Sequence, residues 1–353
     1  MTSKIDVHHH LVPPAFSATL KRKGISKIAG GPVAEWSVER SLRVMEDNDI
    51  GSAVLSLSAP GVYFGDVAEA CDLARACNEF AAEVRQREPK KFGQFAVLPM
   101  PFTEHAAREA IYALDTLKAD GVVLLGSSEG VFLGDPSLDE LMHELDKRSA
   151  IVFVHPNMHQ ASEALPLKSP GFLLEFLCDT TRAATNLIMT GTMEKYPRIT
   201  WILAHAGGFL PYVAWRLSLA NLMADISNNI PQGVLTYLRR FYFDTALSPS
   251  PYAMAALQQL VDPSHILFGS DFPFAPAPMT ANQIGQLEKL DLWSDQQRSA
   301  VYRSNALSLF PRFKTENESV GQREIATSAP FSVRMRRILQ KPVLAYAERM
   351  RQR

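Results

Sequence analysis

Eight short apolar runs, separated by helix-like stretches, constrain this chain more than any other feature. The runs fall at residues 4–7, 52–56, 92–97, 121–125, 151–155, 200–205, 241–245 and 266–270. Between and after them, residues 37–48, 66–87, 103–118, 137–147, 171–196, 209–225, 249–261, 281–290 and 294–310 read as helices by their 3.6-residue apolar spacing. Strands that alternate with helices build a parallel sheet. Eight such units are enough to close a (β/α)8 barrel. The competing arrangement, an open doubly wound sheet, carries a glycine-rich phosphate turn after an early strand. Here the first run ends in His8-His9-His10 and then Pro13-Pro14, with no such turn. The expectation is a barrel over residues 1–314 and a C-terminal extension over 315–353. From Gly321 on, that extension holds eight Lys/Arg against two Glu. Residues 315–330 read as loose and 331–353 as a basic helix.

Two segments depart from the plain alternation. Residues 24–32 follow the first strand and residues 155–170 follow the fifth. In a barrel both are loops on the face formed by the strand C-terminal ends, where active sites are built.

Bulk properties exclude several functions. A net charge of −1 offers no general field for nucleic acid or an anionic membrane. No run approaches the roughly 18 apolar residues of a membrane span. Cys71, Cys77 and Cys178 make neither a metal-ligand pair nor an even disulfide framework. With no secretion-signal pattern at the start, a reduced, cytoplasmic setting is expected.

Chemistry concentrates at strand ends. His8 and His10 share one side of an extended strand and His9 takes the other, with Asp6 in the row of His8 and His10. His155 ends the fifth strand, His205 the sixth, and Asp271 follows the eighth. Three neutral imidazoles and a carboxylate suit zinc, and less strongly manganese or iron. His8, His10, His155 and Asp271 are therefore the expected ligands of one divalent metal. His205 is then free to act as acid or base, with Asp271 able to relay its proton. Phe272, Phe274 and Tyr63 are candidates to stack on a ring.

At these residues the chain resembles the amidohydrolase superfamily, and within it the branch typified by 2-amino-3-carboxymuconate-6-semialdehyde decarboxylase. The motifs are Asp6-Val7-His8-His9-His10, Val154-His155-Pro156, Leu203-Ala204-His205-Ala206-Gly207-Gly208 and Phe268-Gly269-Ser270-Asp271-Phe272-Pro273. The resemblance implies a non-oxidative decarboxylase with one divalent metal and His205 as acid/base. It also implies two arginines that hold the substrate carboxylate, matched here by Arg43 and Arg216, and a homodimer in which the second arginine crosses to the partner. Residues 56–62, 113–122 and 243–248 resemble members described as 6-methylsalicylate decarboxylase-like. That likeness implies a small aromatic carboxylic acid as substrate and conversion of 6-methylsalicylate to 3-methylphenol and CO2. One departure within the superfamily is His8, where the resorcylate and dihydroxybenzoate decarboxylases have a carboxylate. The alternative activity is metal-dependent hydrolysis of a lactone or amide.

Overall fold

The computed structural model describes residues 3–316 and 318–351. Eight parallel strands are joined in chain order: β1 (Lys4–His10), β2 (Ile50–Ser56), β3 (Phe92–Val97), β4 (Gly121–Leu125), β5 (Ile151–His155), β6 (Thr200–Leu203), β7 (Tyr242–Asp244) and β8 (Ile266–Leu267). The ends of this order meet. Val7 N donates to Phe268 O at 3.0 Å, Asp271 N to His8 O at 2.8 Å and His10 N to Phe272 O at 2.6 Å. The sheet is thus a closed (β/α)8 barrel, as expected.

The strands are apolar runs because both faces are covered. Ile5, Val7, Val54, Phe95, Val123, Phe153 and Ile202 belong to one buried cluster and Leu55, Val122, Val152, Leu203 and Phe243 to another. Strand alternation separates Phe153 from Val152 and Val123 from Val122 in this way. The helices start where polar caps allow. Ser37 accepts from Arg40 N to open Val38–Asp47, and Asp66 accepts from Glu69 N to open Val67–Arg87. In the latter, Ala70, Leu73, Ala74, Cys77, Ala81 and Val84 form the buried stripe.

Several boundaries differ from the sequence reading. β1 runs three residues past Val7, because the β8 end supplies backbone partners for the histidines. The helix expected over 103–118 ends at Ile111 and passes into a π-turn, Tyr112–Thr116. The one expected over 171–196 breaks at Gly191, whose φ of 82° is left-handed and suits glycine. Residues 24–32 hold a small hairpin, Lys27–Ile28 with Gly31–Pro32, and residues 155–170 a single helical turn, Gln160–Glu163. The two loops approach each other: Phe172 N donates to Ala29 O at 3.2 Å, and Gly30 lies against Pro170.

Residues 315–330, expected to be loose, are anchored. Arg303, almost wholly buried, donates to Ser3 O and Phe313 O, both at 3.0 Å, and pairs with Glu318. Arg323 donates to Ser149 O at 2.7 Å. Ser3 precedes β1 and Ser149 precedes β5, so the extension passes under the N-terminal ends of the strands. Ala329 N and Arg334 Nη2 then both reach Glu194 Oε1 at 2.7 Å, which seats the start of the helix Phe331–Arg351. Asn317 and the last two residues of the extension lie outside the described residues.

Candidate metal centre

His8, His10, His155, His205 and Asp271 converge at the C-terminal end of the barrel, all buried. One ligand atom each from His8, His155, His205 and Asp271 lies within 4.8 Å of all the others. His10 joins them, with Nε2 2.9 Å from His8 Nε2 and 3.0 Å from Asp271 Oδ1. His205 Nε2 stands 3.6 Å from Asp271 Oδ2. Phe153, two residues before His155 on the inner face of β5, packs edge-on to the His8 ring and forms the floor.

The hydrogen bonds on the far side of each ring decide what the near side can do. His8 Nδ1 lies 2.7 Å from Asp244 Oδ2, His10 Nδ1 3.1 Å from Ser56 O, and His155 Nδ1 2.8 Å from Pro156 O. A carboxylate or carbonyl oxygen only accepts, so each Nδ1 carries the proton and donates. In its neutral form each ring then presents an Nε2 lone pair toward the others. Three lone pairs and a carboxylate facing one another at these distances repel unless a cation stands among them. Asp271 Oδ1 and His205 Nδ1, both buried, lack a hydrogen-bond partner of good geometry. The residues present fit a divalent metal on these grounds.

Charge on these side chains follows their surroundings. Burial opposes a charge on His8, but Asp244 and Asp271 outweigh it and raise the imidazole to about 10. Burial lowers His10, and lowers His155 well below the ordinary histidine value with help from the neighbouring imidazoles. Burial also opposes the charge on Asp271. The positive charge on His8, with the His10 and His205 imidazoles beside it, nevertheless holds it well below the usual carboxylate range.

Backbone conformation aims the last two groups. His205 and Asp271 have φ of 54° and 61°, in the left-handed region that non-glycine residues rarely adopt. Each such residue costs on the order of 1 kcal/mol or more and persists where its surroundings hold it. Asp244 Oδ1 accepts from His205 N at 2.8 Å, and His8 O accepts from Asp271 N at 2.8 Å. Gly207 and Gly208 follow His205 with φ of 73° and 63°. A side chain at either would strike Phe243 or Leu177.

His9 faces away, as strand alternation predicts. Its Nδ1 donates to Asp6 Oδ2 at 3.0 Å, and Nε2 meets Ser41 Oγ at 3.0 Å. Asp6 does not lie in the row of His8 and His10. A register shift between Asp6 and His9 turns it to the His9 side. There its Oδ2 also accepts from Ser270 Oγ at 2.5 Å, and Oδ1 from Ser270 N at 3.0 Å.

A cavity of about 990 Å³ opens over His155, His205 and Asp271. Its walls are mainly apolar: Phe172, Leu173, Phe176 and Leu177 from one segment, Phe272, Phe274 and Met279 from another, and Ile28 and Val33 from the hairpin region. Tyr63 lines a separate, smaller cleft. Arg43 and Arg216 are both exposed, and neither lines this cavity. Among the described residues the one Lys or Arg that does is Arg40, three residues before Arg43, with Nη1 3.2 Å from Glu35 Oε2. Two positions at the site escaped the sequence reading. Asp244 holds both His8 and His205, and a carboxylate at the end of the seventh run was the available signal. Arg40 lies one turn from Arg43 on the same helix, and only the three-dimensional path of the hairpin shows which of the two meets the cavity.

Comparison with known proteins gives a consistent picture. The amidohydrolase family model matches residues 5–312. A 6-methylsalicylic acid decarboxylase from Penicillium expansum is 36% identical over 320 residues, covering 88% of this chain and 97% of that protein. The 2-amino-3-carboxymuconate-6-semialdehyde decarboxylase of Dictyostelium discoideum is 25% identical over 276 residues, 77% of this chain and 76% of its own length. A crystal structure described as an amidohydrolase II superposes with a TM-score of 0.82 at 35% identity, over 88% of this chain and all of that one. A dihydroxybenzoic acid decarboxylase from Polaromonas, solved with manganese and 2-nitroresorcinol, superposes with a TM-score of 0.76 at 25% identity, over 90% of this chain and 99% of that one.

Proposed function

Because the chain belongs to the amidohydrolase family, we propose that its barrel-rim site is that of a metal-dependent, non-oxidative decarboxylase of an aromatic hydroxy acid, with 6-methylsalicylate giving 3-methylphenol and CO2. The observation that carries this is the set of three Nδ1 contacts to oxygen acceptors, which turns three Nε2 atoms toward one another beside Asp271 beneath an apolar cavity. The relatives at 36% identity are named decarboxylases, which favours loss of CO2 over hydrolysis of a lactone or amide.

His8, His10, His155 and Asp271 would hold the metal, with zinc the first expectation from the ligand types and manganese the alternative. A divalent ion bound there supplies Lewis-acid polarisation of the substrate's hydroxyl and carboxylate oxygens. The reaction breaks the bond between ring carbon and carboxylate, leaves the electron pair on that carbon and requires a proton there. His205 is the proposed proton donor, since its ring lines the cavity beside Asp271. Asp271, beside it, can relay the proton. The apolar walls accept the ring and exclude water from the carbon being protonated.

Arg40 takes the carboxylate-recruiting role that the resemblance gave to Arg43. Arg216 would serve only across a subunit boundary, consistent with a homodimer in which its exposed helix meets the partner. The three cysteines are free thiols, in keeping with a reduced cytoplasm. Among the described residues no helix is long and apolar enough to cross a membrane. The test is purified, metal-loaded protein mixed with 6-methylsalicylate, with CO2 and 3-methylphenol both measured. Stoichiometric release of the two supports the proposal. Failure to turn over this acid and related hydroxybenzoates would overturn it.

A further inference from the structure

The helix Phe331–Arg351 turns its larger apolar stripe outward. An amphipathic helix normally lays its apolar face on the body of its own protein. Here Phe331, Met335, Ile338, Leu339, Val343 and Tyr346, which share one face at helical spacing, are all exposed. The less exposed positions on the opposite side include the apolar Val333 and Leu344 together with Arg337 and Gln340. The helix is held in this attitude by polar groups: Arg334 on Glu194, and Arg337 Nε on Pro231 O at 3.1 Å.

A second apolar stripe lies beside it. The helix Leu210–Leu217 continues as a 3-10 turn, Ser218–Leu222, and Tyr212, Trp215, Leu219 and Leu222 recur on its outer face. Leu222 shares a groove with Met335, Leu339 and Val343, so the two stripes form one surface. Tyr212 is 88% exposed, Trp215 77%, Phe331 78% and Leu339 71%. Together the two stripes expose on the order of 1,000 Å², above the ~300–600 Å² of the largest patch on a typical monomer and near the ~800 Å² that each partner gives to a standard interface.

We propose that the helix Phe331–Arg351 is a dimer arm, its outward stripe packing with that of Tyr212–Leu222 against a second copy of this chain. The inference rests on the homodimer reading above and gives it an element that lies outside the family match, which ends at residue 312. A surface that includes both stripes can cover itself about a twofold axis. Area favours this occupant, since the two stripes together offer about what each partner gives to a standard interface. Arg334 and Arg337 are engaged with the chain's own groups, while Arg336 and Lys341 stay exposed.

The experiment is multi-angle light scattering on the full chain at roughly 10 μM, a concentration at which a stable dimer stays assembled, with wild type, the double variant Leu339→Glu/Val343→Glu, and Trp215→Glu. All three substitutions lie on exposed positions, and circular dichroism checks that the fold is kept. The expected result is a dimer for wild type and a dissociation constant raised roughly 100-fold or more by the double variant, since charges would be buried without partners. A wild-type dimer that the double variant leaves intact and Trp215→Glu splits would overturn the arm and keep the homodimer. A monomeric wild type would overturn both, and its pelleting with phosphatidylserine vesicles would identify a membrane surface instead. CO2 release plays no part in these readouts, so the proposed reaction stands or falls separately.

Discussion

Asp244 Oδ2 accepts the Nδ1 proton of His8 at 2.7 Å, while its other oxygen accepts the backbone N–H of His205 at 2.8 Å. One carboxylate from β7 thus sets the tautomer of a proposed metal ligand and the backbone of the proposed proton donor. Partners of this kind are worth 10- to 100-fold in metal affinity. Asp244→Ala should weaken metal binding by roughly that factor in a chelator competition assay and lower kcat besides. Unchanged affinity would mean that Asp244 does not orient His8. Chelation of the wild-type protein should abolish turnover, and return of zinc or manganese should restore it.

His9 and His10 are adjacent and equally buried, yet their substitutions should separate. His9→Ala removes contacts to Asp6 and Ser41, leaves Asp6 short of a donor, and should cost about 1–3 kcal/mol of stability. Its bound metal, measured by elemental analysis, should stay near one ion per chain. His10→Ala should lose most of that metal. Equal loss in both variants would show that the division of the triplet is wrong.

Arg40 lines the cavity mouth while Arg43 does not. Steady-state kinetics on an aromatic acid should show Arg40→Ala raising KM about fivefold with kcat little changed, the effect of an exposed charge worth about 1 kcal/mol of uniform binding. Arg43→Ala should leave both constants alone. The reverse pattern would return the role to Arg43.

Glu318 is held down to about 2 by its hydrogen bond to Arg303, against an ordinary value of 4.5. A carboxylate whose pKa is depressed on folding stabilises the protein above its unfolded value, and that contribution fades as pH falls through the folded one. Glu318→Gln should therefore lower Tm by roughly 1–2 °C at pH 7. The gap to wild type should narrow from about pH 4.5 downward. A difference independent of pH would mean that the Arg303 contact contributes through shape alone.

The barrel was legible because its two periods are local: each strand and helix announces itself within a dozen residues. The ligands were legible for the same reason, since His8, His10, His155, His205 and Asp271 all stand at run ends. What was hidden depends on the register. Asp6 was expected beside His8 and His10, and a register shift before His9, invisible to alternation, turns it to His9 and Ser270. Arg40 and Arg43 are indistinguishable on a helix whose cap is known and whose angle to the hairpin is not. Residues 315–330 looked loose by composition. Their order comes from single long-range donations by Arg303, Arg323 and Arg334, which leave no periodic trace.

The seam between β1 and β8 has a consequence for when this protein can become active. Asp6 and Ser270, which bond across it, are 264 positions apart, and Asp271 lies just beyond. The first strand leaves the ribosome with two of the site's histidines and waits through most of synthesis for its second neighbour. Nothing short of a nearly complete chain can assemble this centre, so the ion must be loaded after translation has passed the eighth strand.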